Sequence, residues 1–426
     1  MKLYIYLCIA IVFTLSCCGE GEENDNVTTN QKGEIEYLPQ LWRKSHIESG
    51  NWLDYSNSVG GNWIFNGLAI IPIRTISGTI ELHGLELTTG EAAWKWSDFY
   101  NPNQEAIKGR FTIFEDNVLH WKTGKLQYWL DVTKGETVKK YSGDTYFNKY
   151  TNELNGMYYW SGIVTDSFPG LQIGGIFKGD FYDETPKLIL LPNVDTTMTF
   201  HDRASTISSA VALNIEGEES LIVTWQKIFP PEWIVQSYLG LFNMASKEWV
   251  YNDIVLNEPS SIGNIENPLV KHNNTVITNI GTNLFCYDYL TGEKVWSRDF
   301  DHVFKFSGYE ISEGILIANC ENKILYGINL ETGQTLWTGE GAGTSSRLHD
   351  RVLNGVLYFV GGSSGAFHAV DIKTGKTLWR LDPYNYEESN AYWNVGTVYC
   401  SDLGDDKNGY IIIQNTLNTY CFEAIR

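Results

Sequence analysis

The 426 residues carry 31 Lys and Arg against 51 Asp and Glu. The resulting formal net charge of -20 excludes the basic footprint demanded by a nucleic-acid backbone or an anionic lipid surface. With 14% aromatic residues, and 40 Gly against 11 Pro, the chain reads as an all-β protein rich in tight turns. No Pro/Gly/Ser-rich linker or long charge run divides it, so one large domain or a repeat array is expected.

The chain opens on an address. Lys2 precedes the apolar run LYIYLCIAIVFTL (3–15), shorter than the ~20 residues of a membrane-spanning helix, so residues 1–17 are read as a signal peptide. The run ends in LSCCGEGEEND, where small residues meet cysteine. This resembles the lipobox of bacterial lipoproteins and implies acylation at Cys17 or Cys18, the alternative being an ordinary secretory signal with two incidental cysteines. Residues 18–34 are polar and acidic, with too little apolar surface to fold, and are expected to form a flexible tether. The acidic residues after the cysteine also resemble the surface-export signal of Bacteroidota lipoproteins. The implied location is the outer membrane, on its periplasmic face or at the cell surface.

From residue 35 onward one phrase recurs. YLPQLWRKS (37–45) holds Trp42, and LHGLELTTGEAAW (82–94) is the first full copy, with Glu86, Gly90 and Trp94. YWLDVTKGETVKK (128–140) keeps Asp131 and Gly135 but places Lys139 where Trp belongs. Two degenerate units follow. One holds the strand-like runs 157–164, 170–177 and 187–191; the other holds 220–229, 238–243 and 248–251. Three clear copies come next: FCYDYLTGEKVW (285–296), LYGINLETGQTLW (325–337) and FHAVDIKTGKTLW (367–379). The chain ends on TYCFEAI (419–425), where Glu423 takes the Asp position and neither turn nor Trp follows.

The phrase specifies a β-hairpin. An alternating strand runs into a D-x-x-T-G turn whose Asp or Asn accepts backbone N–H bonds, and whose Gly supplies positive φ. The Trp early in the outgoing strand is expected to wedge against the neighbouring sheet with its N–H on a polar partner. Turn glycines recur at intervals of 45 (Gly90 to Gly135), 41 (Gly292 to Gly333) and 42 residues (Gly333 to Gly375), the period of one four-stranded propeller blade. The wedge positions are Trp42, Trp94, Lys139, one unresolved near residue 190, Tyr251, Trp296, Trp337 and Trp379. The expected fold over residues 35–426 is therefore an eight-bladed β-propeller whose termini close the last blade, with seven blades as the alternative if one degenerate unit is an insertion.

These residues carry a family resemblance. The A-x-D-x-x-T-G-x-x-x-W phrase is similar to the PQQ-like repeat of the quinoprotein alcohol dehydrogenase-like propellers, which include both pyrroloquinoline quinone (PQQ) dehydrogenases and non-catalytic envelope lipoproteins. The dehydrogenases of that resemblance set a vicinal disulfide against the quinone and hold a Ca²⁺ ion; here the adjacent cysteines are Cys17 and Cys18, which the lipobox explains. Cys286 and Cys421 fall where other copies have small residues and are read as core, and His83 and His368 occupy matching strand positions that point to a structural role.

Other candidates lie in loops. SDLGDDKNGY (401–410) offers Asp402, Asp405, Asp406 and Asn408 as oxygen ligands for Ca²⁺, or is a solvated turn. Trp233 in IFPPEWIVQSY, and Tyr384, Tyr386, Tyr392 and Trp393 in DPYNYEESNAYWN, suit a protein interface or sugar stacking. The reading that results is a non-catalytic envelope lipoprotein acting as an interaction scaffold, with an envelope protein or a glycan as partner, no nucleic acid, and no PQQ. A PQQ-dependent or other small-molecule enzyme and a surface glycan-binding protein are the alternatives.

Overall fold

The hairpin phrase propagates into eight antiparallel sheets among the described residues, one for each repeat. The computed structural model describes residues 40–46, 52–53, 64–74, 80–98, 112–123, 126–143, 147–164, 173–190, 205–229, 234–260, 269–303, 309–341, 352–361, 365–382, 393, 399–401, 409–415 and 418–425. Blades 1 to 7 span residues 52–96, 112–142, 147–190, 205–255, 270–299, 309–340 and 352–381. Blade 8 combines residues 399–423 with Gln40–Ser45, which pairs antiparallel to Asn418–Glu423. The protein is thus an eight-bladed β-propeller closed by its N-terminal strand. Both degenerate units form complete four-stranded sheets, which removes the seven-blade alternative.

The turn chemistry is as the residue types require. Asp288 Oδ1 accepts the N–H groups of Leu290 and Thr291 at 2.9 Å each, and Asn329 and Asp371 repeat the arrangement in the next two blades. Gly292, Gly333 and Gly375 follow with φ of 74°, 68° and 69°. These glycines meet a second demand that the sequence did not announce. A Cβ on Gly333 would stand 2.7 Å from the ring of Trp296, so the turn of one blade is the floor beneath the Trp of the blade before. Positive φ alone would admit Asn; the ring above leaves room only for hydrogen.

Four of the Trp wedges bond across a blade boundary in the expected way. The indole N–H groups of Trp42, Trp94, Trp296 and Trp337 donate to Leu87, Val132, Leu330 and Ile372 carbonyls at 2.6, 2.6, 2.8 and 2.8 Å. Within its own blade the ring lies over a small residue: Trp94 pairs with Gly84, Trp296 with Cys286, Trp337 with Gly327, Trp379 with Ala369 and Trp42 with Cys421. Cys286 and Cys421 are therefore buried space-savers, as their position implied. Tyr251 fills the slot in blade 4, its hydroxyl donating to Tyr289 O at 2.8 Å. Tyr251→Phe is expected to cost about 1 kcal/mol in urea unfolding, the usual worth of one such bond; a null effect would show that the ring alone does the wedging.

Blade 2 solves the same problem with the sizes exchanged. Trp129 stands at the small-residue position opposite Lys139, donates to Phe181 O at 2.8 Å, and carries the Lys139 ammonium 5.0 Å from its ring centroid. In blade 3 the fourth strand, Lys187–Leu190, brings Leu190 rather than an aromatic wedge against blade 4.

The connections divide by end. The first and second strands of blades 1 to 7 join through two-residue hairpins, such as Asn66-Gly67 (φ 48° and 77°) and Asn354-Gly355 (50° and 74°), whereas in blade 8 eight residues separate Ser401 from its partner Tyr410. Beside them lie the turns between third and fourth strands, since Leu87 N bonds Gly67 O, Leu330 N bonds Gly314 O and Ile372 N bonds Gly355 O. Strand antiparallelism then sends every connection between blades, and every link from second to third strand, to the opposite end.

Candidate partner interface

The connection-bearing end is built most distinctively in blade 4. Its first three strands, Ser205–Ile215, Glu218–Phe229 and Ile234–Asn243, are 11, 12 and 10 residues long, whereas the second and third strands of blade 5 have 6 each. The near-end turns match those of other blades: Asn243 Oδ1 accepts the N–H groups of Ala245 and Ser246, and Lys247 takes the turn-glycine position with φ 60°. Counted from the equivalent turn pairs Asn243–Ser220 and Asp288–Thr275, the hairpin of blade 4 runs ten pairs against six, so four additional pairs lengthen the blade at the far end by about 13 Å at the usual strand rise.

The extension is braced along one edge. Val235 and Ser260 exchange backbone bonds of 2.8 and 3.1 Å, and the Asn257 side chain takes Ser237 N–H and gives an N–H to Val235 O. At the near end of the same blade, beside the Asn243 turn, Lys178 of blade 3 places its ammonium 2.7 Å from both Glu219 oxygens. Burial moves both partners toward neutrality, Lys178 down and Glu219 up, so the pair holds position more than it adds stability.

The two faces of the extension differ. Thr224, Gln226, Val235 and Ser237 are buried. The cross-strand pairs Trp225 with Tyr238, Lys227 with Gln236 and Phe229 with Ile234 share the other face, and all six side chains are half-buried. Trp225 stacks on Tyr238 with centroids 4.2 Å apart and planes 11° from parallel, while Lys227 lies 5.1 Å over the Phe229 ring. The result is a stiff strip of aromatic and amide groups with one ammonium, running to the last pair, Phe229 with Ile234.

Trp233 lies outside the described residues, as do Tyr384, Tyr386, Tyr392, the acidic group Asp402, Asp405, Asp406 and Asn408, and Cys17 and Cys18. Trp393 requires correction as a surface residue. It is 1% exposed, donates to Leu381 O at 3.1 Å and meets Tyr420 edge-on at 5.1 Å. Its bulk caps the blade 7 to blade 8 core instead of facing a partner. Gly409 has φ 92° and accepts Ala424 N–H as Gly67 and Gly355 accept theirs, but Ser401 pairs with Tyr410, so the acidic segment is an eight-residue link where the other blades have two.

His368 is fully buried, its ring 5.0 Å from Phe359 and 6° from parallel, in a strand position that other blades fill with Tyr128, Phe285, Tyr326 and Tyr420. It serves as an aromatic plate, and burial holds its pKa down at about 4.

Comparison with known proteins follows the same lines. The family model described as "Outer membrane protein assembly factor BamB" matches residues 250–423. Over the whole propeller, the crystal structure of BamB from Moraxella catarrhalis superposes with a TM-score of 0.53, covering 91% of this chain and 99% of that one at 11% identity. The chain is an eight-bladed propeller that resembles BamB. BamB of Shewanella oneidensis is 28% identical over 127 residues, which is 27% of this chain and 32% of that relative, so the sequence match spans about a third of its length. The computationally designed Ika8 protein also matches, with a TM-score of 0.50, 12% identity and coverage of 85% and 97%. At such identities the structural likeness establishes the BamB-like fold and nothing finer.

Proposed function

We propose that this BamB-like propeller is an outer-membrane lipoprotein that acts as a non-catalytic scaffold, and that it docks an envelope protein through the projecting hairpin of blade 4. The observation that carries the reading is the ladder of half-buried pairs from Trp225–Tyr238 to Phe229–Ile234. Aromatic rings preorganised on a braced sheet lose little conformational entropy on binding, which is why such residues anchor protein interfaces.

A quinone site fits poorly. The described thiols Cys286, Cys320 and Cys421 are buried singly in three different blades, so the ring-stacking pair that the dehydrogenase resemblance implies has no counterpart among them. Burial raises the Cys286 thiol to about 11, which keeps it protonated and inert.

Two experiments test the reading. Replacing Cys17 and Cys18 together is expected to move the protein from the membrane fraction to the soluble envelope fraction; retention in washed membranes would remove the lipid-anchor assignment. Trp233→Ala, or Lys227→Glu with Phe229→Ser, should leave the melting temperature within a few degrees while depleting a partner recovered from detergent-solubilised envelopes by the wild type. Recovery of the same partner by both would place the interface elsewhere, and recovery of polysaccharide in place of protein would favour glycan binding.

A further inference from the structure

The ring is closed by a strand from the opposite end of the chain, and that seam holds two buried imidazoles. His46 follows the closing strand directly, is 4% exposed, and has Nε2 3.0 Å from Thr419 Oγ1 on the strand it closes against. His83, in blade 1, is 6% exposed with Nε2 2.8 Å from Glu81 Oε2. Blades 8 and 1 meet at this point, where the Trp42 indole donates to Leu87 O.

We propose that the seam is an acid-released latch, in which protonation of His46 beside His83 frees Gln40–Ser45 from Asn418–Glu423 while the other blades stay folded. The charged neighbours set the direction. At His46, His83 from blade 1 and Lys44 from the closing strand both oppose a positive charge; at His83, Lys95 and Lys44 oppose it and Glu81 favours it. The partner strand contributes the Thr419 hydroxyl and the Tyr420 ring, over which Arg43 lies at 5.7 Å while also bonding Asn418 at 3.0 Å.

The sign follows from linkage. Burial, then His83, then Lys44 hold His46 at about 4 in the closed seam, against 6.5 for an imidazole in water. The opened strand therefore takes up the proton first. Closure is at full strength above about pH 6.5, weakens as pH falls toward 4, and weakens no further below it.

The other strands of the ring provide the control. Amide hydrogen exchange of the full chain, corrected for intrinsic rates, is compared near pH 7 and near pH 5 (about two units apart, spanning most of the titration). Protection in Gln40–Ser45 and Asn418–Glu423 is expected to fall on the order of tenfold, while Thr275–Ile280 and Asn283–Asp288 of blade 5 keep theirs. His46→Gln retains a polar partner for Thr419, cannot charge, and should abolish the loss. Should that variant not fold, His83→Gln removes the opposing charge and should reduce it. Unchanged seam protection at both pH values, an equal loss in blade 5, or a variant that opens in acid as the wild type does would each overturn the latch.

Discussion

Replacing Trp337 by Ala is expected to cost about 3 to 5 kcal/mol of unfolding free energy, the range found for truncating a buried large aromatic. The ring is 8% exposed, donates to Ile372 O at 2.8 Å, and is enclosed between Gly327 of its own blade and Gly375 of the next. Gly327→Ala attacks the same packing from the other side, because its methyl would overlap the indole; overpacking of this kind costs about 1 to 3 kcal/mol. The two substitutions should couple strongly. Once the indole is gone the extra methyl has room, so Gly327→Ala should be close to neutral in the Trp337→Ala background. Urea titrations of the four proteins measure this cycle, and simple additivity would mean that the ring does not fill the space above Gly327.

Deleting residues 40–46 should have the larger effect. Blade 8 would keep three strands, the Trp42 contact with Gly90 and Leu87 would vanish, and the paired edge of Asn418–Glu423 would open. Loss of the wedge and of the ladder bonds together is expected to exceed about 5 kcal/mol, enough to exhaust much of a typical domain's stability. The uncovered edge should promote association through strand pairing, seen as early-eluting species in size-exclusion chromatography and as a lowered melting temperature. Trp42→Ala, which keeps the strand, should lose about 3 to 5 kcal/mol and remain monomeric. A monomeric deletion variant with unchanged melting would show that the closing strand is dispensable.

Much of the fold was legible because the repeat phrase ties residue type to geometry. Asp288, Gly292 and Trp296 each have a definite physical reason to sit at their spacing, and the same reasons located Tyr251 and the closing Trp42. The missed features have equally specific causes. Trp129 and Lys139 exchange large and small across one pair, which a search for Trp at a fixed position cannot see. The Asn-Gly hairpins Asn66-Gly67, Asn155-Gly156 and Asn354-Gly355 were present in the sequence and unread, and they would have fixed the first strands of blades 1, 3 and 7. The candidate interface was legible only in part. The loop around Trp233 stood out through its prolines, but the long run from Ser205 to Phe229 was the stronger signal of a projecting blade. Trp393 was misread because an aromatic beside acids and amides looks the same in sequence whether it faces solvent or caps a core.

The division of the connections between the two ends sets different rules for change at each. At the hairpin end seven blades keep a two-residue link that sets the register of its strands, as at Asn354-Gly355, and blade 8 alone lengthens it, to eight residues between Ser401 and Tyr410. At the other end a segment can lengthen, as blade 4 has, while the turns at its near end stay in register. Loops there can drift one at a time, under no obligation to their neighbours. A scaffold of this kind can acquire a new binding preference by rewriting a single connection, and a propeller only 11% identical to a solved one can keep its ring while sharing little of the surface that ring displays.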